Sequence, residues 1–198
     1  MKRFIEESSQ KDYDIIVIGG GITGASVAYE AASRGFSVAL LEKNDFSAAT
    51  SAATSKLIHG GLRYLANFEF GLVRESLKER RILENIAPNL VHPIPFIIPL
   101  YNNWARSKWI MEPGMIIYDL LSYDKGFTWD DTKKIPWHRH ISRKKVQELE
   151  PIVNTDGMTG AILYHDCASI NPERLTLAFI KSAVKLGAEV ANYAKVVD

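Results

Sequence analysis

Three closely spaced glycines and one acidic residue are the first features of the sequence that suggest chemistry. Gly19, Gly21 and Gly24 fit the pattern G-x-G-x-x-G, and Glu42 follows about 20 residues further on. In such a pattern the first glycine permits a tight turn, the second lets pyrophosphate oxygens approach the backbone, and the third lets a helix pack closely against a strand. An acidic residue at this distance suits a hydrogen bond to the adenosine ribose. The pattern therefore predicts a dinucleotide site. It leaves NAD and FAD open and disfavours NADP, because Glu42 would repel a 2′-phosphate.

The elements around these glycines are those that the motif requires. Asp14 to Ile18 is a short apolar run rich in β-branched residues, which predicts a buried parallel strand. Alanines then recur at helical spacing up to Gly35, which is expected to end the helix. Ser37 to Leu41 predicts a second strand, and Glu42 stands at its end. Because strand, turn, helix and acid occur in the required order, the pattern is far more specific than its glycines alone.

The composition is that of a globular protein that can bury a core, with 46% hydrophobic and 24% charged residues. A net charge of +1 gives no electrostatic argument for a nucleic-acid partner, and none is expected. A single cysteine, Cys167, excludes a disulfide within the chain and favours a reducing, cytoplasmic compartment. No stretch approaches about 18 uninterrupted apolar residues, so no membrane-spanning helix is expected. No metal site is expected either, because no metal-ligand spacing is found at His92, His138, His140 or His165.

The most distinctive segment follows Glu42 and is rich in hydroxylic, cationic and glycine residues. After the earlier run IGGGITG, the sequence contains LLEKNDF and TSKLIHGGLRYL. With these three runs the chain resembles the FAD-dependent glycerol-3-phosphate dehydrogenases and the closely related glycerol-3-phosphate oxidases. The resemblance is dense from Asp14 to Leu65, returns at Tyr164-His165-Asp166 and Asn171-Pro172, and covers nearly the whole chain. It implies an α/β fold, namely the N-terminal portion of a Rossmann-like, glutathione-reductase-type FAD-binding domain with the start of a β-rich substrate domain.

The resemblance also implies a reaction, with FAD as the cofactor and glycerol 3-phosphate as the substrate. FAD takes a hydride from C2 of the substrate, and dihydroxyacetone phosphate is the product. The electrons then pass to a membrane quinone in the dehydrogenases or to oxygen in the oxidases, and both acceptors stay open here. The implied location is the cytoplasm, with peripheral attachment to the cytoplasmic face of the membrane as an open alternative.

Roles for individual residues follow from the same resemblance. Arg63 and Tyr64 resemble the pair that contacts the substrate, where a guanidinium suits a phosphate or the C2 oxygen through forked hydrogen bonds. His59 is expected to face the flavin or the substrate, and its neutral form can serve as a base. Structural roles for Arg63 and His59 and simple packing for Tyr64 are the plain alternatives. The expected cofactor-binding residues are Gly19, Gly21, Gly24, Glu42, Lys43, Thr50, Ser51, Ser55, Lys56, Leu57 and His59.

Four parts are expected along the chain. They are a tail at residues 1–12, the FAD-binding segment at 13–90, substrate-domain material at 91–165, and a helix and strand at 166–198 that return to the FAD-binding domain. In the last part, Asn171-Pro172 predicts a helix start and Val190 to Val197 a final strand. Members of the resembled family are much longer, so the chain is expected to be the N-terminal part of a longer protein. A homodimer, a separately encoded C-terminal half, or an inactive FAD-binding fragment stays open.

The middle of the chain contains one segment that suggests a membrane contact. Lys108 to Tyr123 is apolar and aromatic, and Pro113-Gly114 predicts a broken or kinked helix there. Aromatic and cationic side chains stand together just before this break, as an interfacial segment requires. They are Trp104, Arg106, Lys108, Trp109, Ile110 and Met111. A core helix of the substrate domain is the alternative interpretation.

Overall fold

The computed structural model describes residues 11–103 and 107–197. In chain order its elements are β1 (Ile15–Ile18), α1 (Ile22–Ser33), β2 (Val38–Leu41), β3 (Leu57–Ile58), a 3-10 helix (Leu62–Asn67), α2 (Phe70–Ile86), β4 (Val91–Tyr101), α3 (Lys108–Leu121), a 3-10 turn (Asp131–Lys133), β5 (Arg139–Ile141), α4 (Arg143–Leu149), β6 (Met158–Ser169), α5 (Pro172–Lys185) and β7 (Glu189–Ala191). The α/β fold class predicted from the sequence is confirmed.

The chain divides into two compact units, one formed by Met1–Lys56 with Asn171–Asp198 and the other by Leu57–Ile170. These boundaries differ from those expected at residues 90 and 165. The difference arises because Val73 and Leu77 of α2 pack in one buried cluster with Leu100 of β4, which ties residues 57–90 to the second unit. The functional assignment of the four expected parts stays a prediction.

The first unit is a three-stranded parallel sheet with two helices packed against it. Its strand order is β1-β2-β7, with Ile15 paired to Val38 and Leu40 to Val190. The buried residues of α1 are all alanines, which confirms the helical spacing predicted from the sequence. Small side chains let α1 lie close to the sheet and to Ile180 of α5, because no bulky group holds the backbones apart. The strand–helix–strand frame of the glycine motif is therefore built on a tightly packed alanine face.

The second unit is organised around a long antiparallel pair of strands. All 11 residues of β4 pair with β6, from Val91 opposite Ser169 to Tyr101 opposite Met158. In the strand order β3-β6-β4, the strand β4 stands at an edge. Proline has no N–H to donate, and this is tolerated at an edge because the outward-facing N–H groups have no neighbouring strand to bond. Pro93, Pro95 and Pro99 are all on this strand. They protect the edge from pairing with another chain.

Two local predictions need correction. The final strand ends at Ala191 rather than Val197, because Tyr193 adopts a left-handed conformation (φ 52°) and the Ala194 N–H donates to the Glu42 carbonyl oxygen. The break expected at Pro113-Gly114 is also absent, because helix α3 continues through Pro113, whereas a kink there stays a prediction. That proline is the sixth residue of the helix, so the carbonyl that loses its partner is that of the exposed Trp109 in the first turn. Water can satisfy a carbonyl at such a position, and the helix continues.

Candidate functional site

The loop between β1 and α1 has the geometry that a dinucleotide phosphate requires. Gly19 has a φ of +110°, a conformation that side chains rarely adopt. A Cβ on Gly24 would overlap the carbonyl oxygen of Gly19, so only glycine lets the helix approach the strand this closely. Gly21 is the N-cap of α1, and the first helical turn carries no acidic residue. The N–H groups and partial positive charge of that helix end therefore suit an anion.

Two polar side chains of the first unit converge on this turn. One carboxylate oxygen of Glu42 accepts a hydrogen bond from the Gly20 N–H at 2.7 Å, and the other accepts from the Asn44 N–H at 2.7 Å. The Ser51 hydroxyl accepts from the Ile22 N–H at the start of α1, at 2.9 Å. Both residues were expected in the cofactor site, and both lie beside the glycine turn. Hydrogen bonds from them to a ribose or a phosphate stay predictions.

The other residues expected to bind the cofactor fall into two groups. Lys43, Thr50, Ser55 and Lys56 are exposed residues of the first unit, where cationic and hydroxyl donors are accessible to an anion. Lys56 has a left-handed backbone (φ 61°), and its N–H donates to the Thr54 hydroxyl. The remaining residues belong to the second unit. Leu57 and His59 were expected to bind the cofactor, whereas Arg63 and Tyr64, also in this unit, were expected to contact the substrate.

His59 is held in one tautomer by the turn that follows it. The Gly61 N–H donates to Nδ1 of the ring at 2.9 Å. A backbone N–H can only donate, so Nδ1 carries no proton, and in the neutral imidazole the proton lies on Nε2. As placed, the ring is a hydrogen-bond donor at Nε2. Service as a general base would require the proton to move to Nδ1 and the Gly61 bond to break, which adds a condition to the role expected from sequence.

Arg63 and Tyr64 form a stacked pair on the 3-10 helix that follows. The Arg63 guanidinium carbon lies 5.3 Å from the centroid of the Tyr64 ring. Tyr64 also packs against the buried cluster of the second unit, and its ring fills the space that a side chain on Gly61 would occupy. Within residues 11–103 and 107–197, no carboxylate pairs with Arg63, which is exposed. Tyr64 therefore combines the packing role with the support of an accessible guanidinium.

A buried polar network behind this turn was not anticipated from the sequence. It joins Arg80 of α2, Tyr118 of α3 and Asp166 of β6, none of which is more than 2% exposed. Asp166 Oδ2 accepts from the Tyr118 hydroxyl at 2.6 Å, and Oδ1 accepts from Arg80 and, at 3.3 Å, from the Gly60 N–H. Burial, and then the Asp166 carboxylate, raise the pKa of Tyr118 far above its ordinary value, so its hydroxyl keeps the proton. The only sequence signal was that Asp166 falls in a segment that carries the family resemblance.

Comparison with known families decides the classification. The family model described as FAD dependent oxidoreductase matches residues 14–198. The chain belongs to the FAD dependent oxidoreductase family. The cofactor is therefore FAD rather than NAD, as the segment after Glu42 predicted.

The individual relatives confirm the resemblance to glycerol-3-phosphate dehydrogenases. The chain is 44% identical to "Glycerol-3-phosphate dehydrogenase" of Synechocystis sp. over 194 residues, and the matched region covers 98% of this chain and 34% of the relative. It is 37% identical to "Alpha-glycerophosphate oxidase" of Lactococcus lactis, over 98% of this chain and 31% of the relative. The solved glycerol-3-phosphate dehydrogenase of Bacillus halodurans, complexed with FAD, is 29% identical with a TM-score of 0.67, over 98% of this chain and 29% of that one. The flavoprotein thus spans about a third of the length of the curated relatives it matches.

Proposed function

We propose that the protein carrying this chain oxidises glycerol 3-phosphate to dihydroxyacetone phosphate by hydride transfer to FAD and passes the electrons to a quinone. The observation that carries the proposal is the 44% identity, along almost the whole chain, to a relative named glycerol-3-phosphate dehydrogenase. The exposed, stacked Arg63 in the HGGLRYL run supports it chemically, because the substrate is an anion and a guanidinium binds phosphate or oxyanion through two parallel N–H donors.

The residues present fit the cofactor. The steric need for glycine at position 24, and the N-terminus of α1 without acidic residues, form a cradle that can hold a pyrophosphate. Glu42, already bonded to the Gly20 N–H beside that cradle, would hold the adenosine ribose. When bound, FAD supplies a two-electron acceptor for the hydride.

In the second unit the chain's own side chains would bind and orient the substrate. Arg63, supported by Tyr64, would bind the substrate anion and fix the orientation of the C2–H bond from which the hydride leaves. His59 would donate its Nε2 proton in a hydrogen bond to a substrate oxygen. The proton of the C2 hydroxyl, which must leave when the hydride does, would pass to solvent water. Because lysine retains the charge but lacks the planar fork, Arg63→Lys separates charge from geometry.

The test is steady-state dye reduction with glycerol 3-phosphate by the FAD-loaded, full-length protein that carries this chain. Arg63→Lys should raise KM and lower kcat together while FAD stays bound, with kcat/KM reduced roughly tenfold to a hundredfold. The matched control is Arg34→Lys, at an exposed arginine that pairs with Glu30 of α1, and its kinetics should equal those of the wild type. Equal kinetics for both variants would contradict the assigned role of Arg63. Absence of turnover in the wild type would contradict the proposed reaction itself.

Oxygen is the second candidate for the electron acceptor. The 37% identity to a relative named alpha-glycerophosphate oxidase favours this alternative on the same type of observation. Peroxide formed in air in proportion to the substrate consumed would assign the oxidase activity. Turnover that depends on added quinone or dye, with little peroxide, would assign the dehydrogenase.

Peripheral attachment to the cytoplasmic face of a membrane is proposed as well. Trp104 and Arg106 of the expected contact segment lie outside the described residues. Within residues 107–197, α3 buries Met115 and Tyr118 on one side and exposes Trp109, which is 85% accessible, beside Lys108 at its start. Helix α3 is thus compatible with both a core helix and a membrane-contact segment, because its inner side is buried and its outer side exposes an aromatic and a cationic residue. In residues 11–103 and 107–197, no helix combines the length and apolarity needed to cross a bilayer.

Vesicles of phosphatidylglycerol and phosphatidylcholine test this attachment by co-sedimentation. The double substitution Lys108→Glu with Trp109→Ala should weaken binding at least several-fold, since it removes one cation and one interfacial aromatic. Trp129→Ala is the control, because Trp129 is 91% exposed in a loop of the same unit. Binding that ignores the double substitution would refute the role of α3.

A further inference from the structure

The amide of Gly60 is the point at which the buried network meets the candidate site. Its N–H lies 3.0 Å from the Tyr118 hydroxyl oxygen and 3.3 Å from Asp166 Oδ1, so both atoms accept from it. The residues on either side are His59 and Gly61, which bond to each other through the His59 ring. A shift of the Gly60 amide would therefore move both partners of that bond.

The same residue has no room for a side chain. A Cβ on Gly60 would overlap Leu77 and would lie 2.5 Å from the Tyr118 hydroxyl oxygen. The Gly60 backbone thus rests directly on Tyr118, and glycine is needed for this close approach rather than for an unusual backbone angle. This close approach fixes the position of the backbone at the centre of the turn His59-Gly60-Gly61, called the HGG turn below.

The ion pair inside the network fixes the orientation of the Tyr118 hydroxyl. Asp166 is paired with Arg80 in the interior, and the Tyr118 hydroxyl donates its proton to Asp166 Oδ2. Because that proton points at the carboxylate, a lone pair of the hydroxyl oxygen is left to accept from Gly60. Without the carboxylate the hydroxyl could rotate, and the Gly60 N–H would lose a fixed acceptor in a dry environment, where an unmade hydrogen bond is costly.

We propose that Tyr118 and Asp166 are positioning residues for His59: through the Gly60 N–H they hold the HGG turn so that the Gly61 N–H occupies Nδ1 of His59 and the ring presents its proton at Nε2. Neither residue needs to touch the substrate or the cofactor. The inference deepens the proposed function, on which its kinetic part rests, whereas its structural part concerns only contacts within the second unit.

Tyr118→Phe is the decisive variant. It removes the hydroxyl that joins Gly60 to Asp166 but retains the ring, and it leaves the Arg80–Asp166 ion pair intact. The matched control is Tyr164→Phe, because Tyr164 packs edge-on against Tyr118 with ring centroids 6.0 Å apart. Among the described residues, the hydroxyl of Tyr164 is not a partner of Gly60. The two variants therefore remove the same atom from the same aromatic cluster but differ in the contact with Gly60.

The primary readout is the nitrogen NMR spectrum of histidine-labelled protein, with the His59 signal assigned by its loss in His59→Asn. The wild type and Tyr164→Phe should show one neutral tautomer with the proton on Nε2, and Tyr118→Phe should show a mixture of both tautomers. With glycerol 3-phosphate, Tyr118→Phe should lower kcat about tenfold with a smaller change in KM, the factor expected when roughly one neutral hydrogen bond is lost. Tyr164→Phe should change kcat less than twofold.

An unchanged His59 tautomer in folded Tyr118→Phe, or equal effects of the two variants, would overturn the proposal. Should Tyr118→Phe not fold, hydrogen exchange on the wild type decides: the Gly60 amide should be protected as strongly as amides of β6, and exchange as fast as that of exposed Ser55 would overturn it. Absence of turnover with glycerol 3-phosphate would count against the proposed function alone, because the tautomer and exchange measurements need no substrate.

Discussion

Replacement of Gly24 by alanine should destabilise the first unit, although alanine is the better helix former. Gly24 is the third residue of α1, and a Cβ there would overlap the Gly19 carbonyl oxygen and lie 3.2 Å from a methyl carbon of Val17. Real Cβ atoms essentially never approach another heavy atom within 3.0 Å. A backbone carbonyl in a tight turn cannot swing aside like the end of a flexible side chain, so α1 itself must withdraw.

Two opposing terms set the size of the effect. Alanine is favoured over glycine inside a helix by up to about 1 kcal/mol. Overpacking against an unyielding neighbour costs about 3 kcal/mol, the upper part of the usual range, because the alanine face of α1 must loosen from the sheet. The net expectation is a loss of about 2 kcal/mol in the free energy of unfolding of the first unit, together with weaker retention of FAD, since the helix end moves away from the glycine turn.

Gly114 offers a matched control with the opposite sign. It lies in the middle of α3, has no unusual φ, and has nothing within 4 Å of an added Cβ. Gly114→Ala should therefore stabilise the second unit by up to about 1 kcal/mol through helix propensity alone. A difference of about 3 kcal/mol between the two variants is expected from these terms.

Hydrogen exchange of helix peptides in increasing urea is the appropriate assay, because it reports each unit separately. Tryptophan fluorescence would miss the first effect, because the residues that form the first unit contain no tryptophan. Stabilisation of α1 by Gly24→Ala to the same extent as α3 by Gly114→Ala would refute the steric argument. It would also show that the motif requires its third glycine for some reason other than helix–strand packing.

Three further predictions address single residues. Glu42→Ala should weaken FAD binding by about 1.5–3 kcal/mol through the loss of a charge-assisted hydrogen bond, while turnover at saturating FAD stays largely intact; flavin titration with parallel dye reduction checks it, and lost turnover at full occupancy would assign Glu42 to chemistry. Burial, and then Glu84, raise the pKa of Cys167 to about 12, so a disulfide reagent at pH 8 should label this thiol only after unfolding, and rapid native labelling would contradict its burial. Asp124→Asn should reduce stability by about 2 kcal/mol, because Asp124 accepts two hydrogen bonds of 2.8 Å from Arg74. The Arg74 hydrogen bonds lower the pKa of Asp124 in the folded state. The contribution of Asp124 to stability is therefore complete above its unfolded pKa of about 3.9 and is lost as pH falls through the lower folded value. Urea unfolding that gives the same difference in free energy of unfolding between wild type and Asp124→Asn at pH 7 and at pH 2 would contradict this.

The parts of the fold that sequence reasoning predicted correctly are those with local causes. The alanine spacing of α1 needs only the helical period, and the start of α5 needs only the Asn171 side chain, which accepts from the Arg174 N–H two residues after Pro172. The glycine turn is equally local, since its requirements are set by a few neighbouring backbone atoms. The final strand was overextended, because Val190 to Val197 has strand-like composition but its later residues bond to the backbone after β2.

The polar network could not be found by the same means. Asp166 bonds to Arg80, Tyr118 and Gly60, which are separated from it by 86, 48 and 106 positions in the sequence. No periodicity links these residues. Their meeting depends on the pairing of β4 with β6 and on the packing of α2 and α3 behind that pair. A buried carboxylate also looks like any surface aspartate until its strand neighbours are known.

The role of a histidine in a motif depends on its partner as much as on its type. Sequence reasoning took His59 as a group that can accept a proton, because a neutral imidazole always has one free nitrogen. In the structure that nitrogen is Nδ1, and the Gly61 N–H occupies it. The tautomer is thus set by the backbone of Gly61, whose left-handed conformation (φ 69°) begins the 3-10 helix that carries Arg63. On the proposed function, the glycines of this run would therefore decide which nitrogen of His59 a substrate meets.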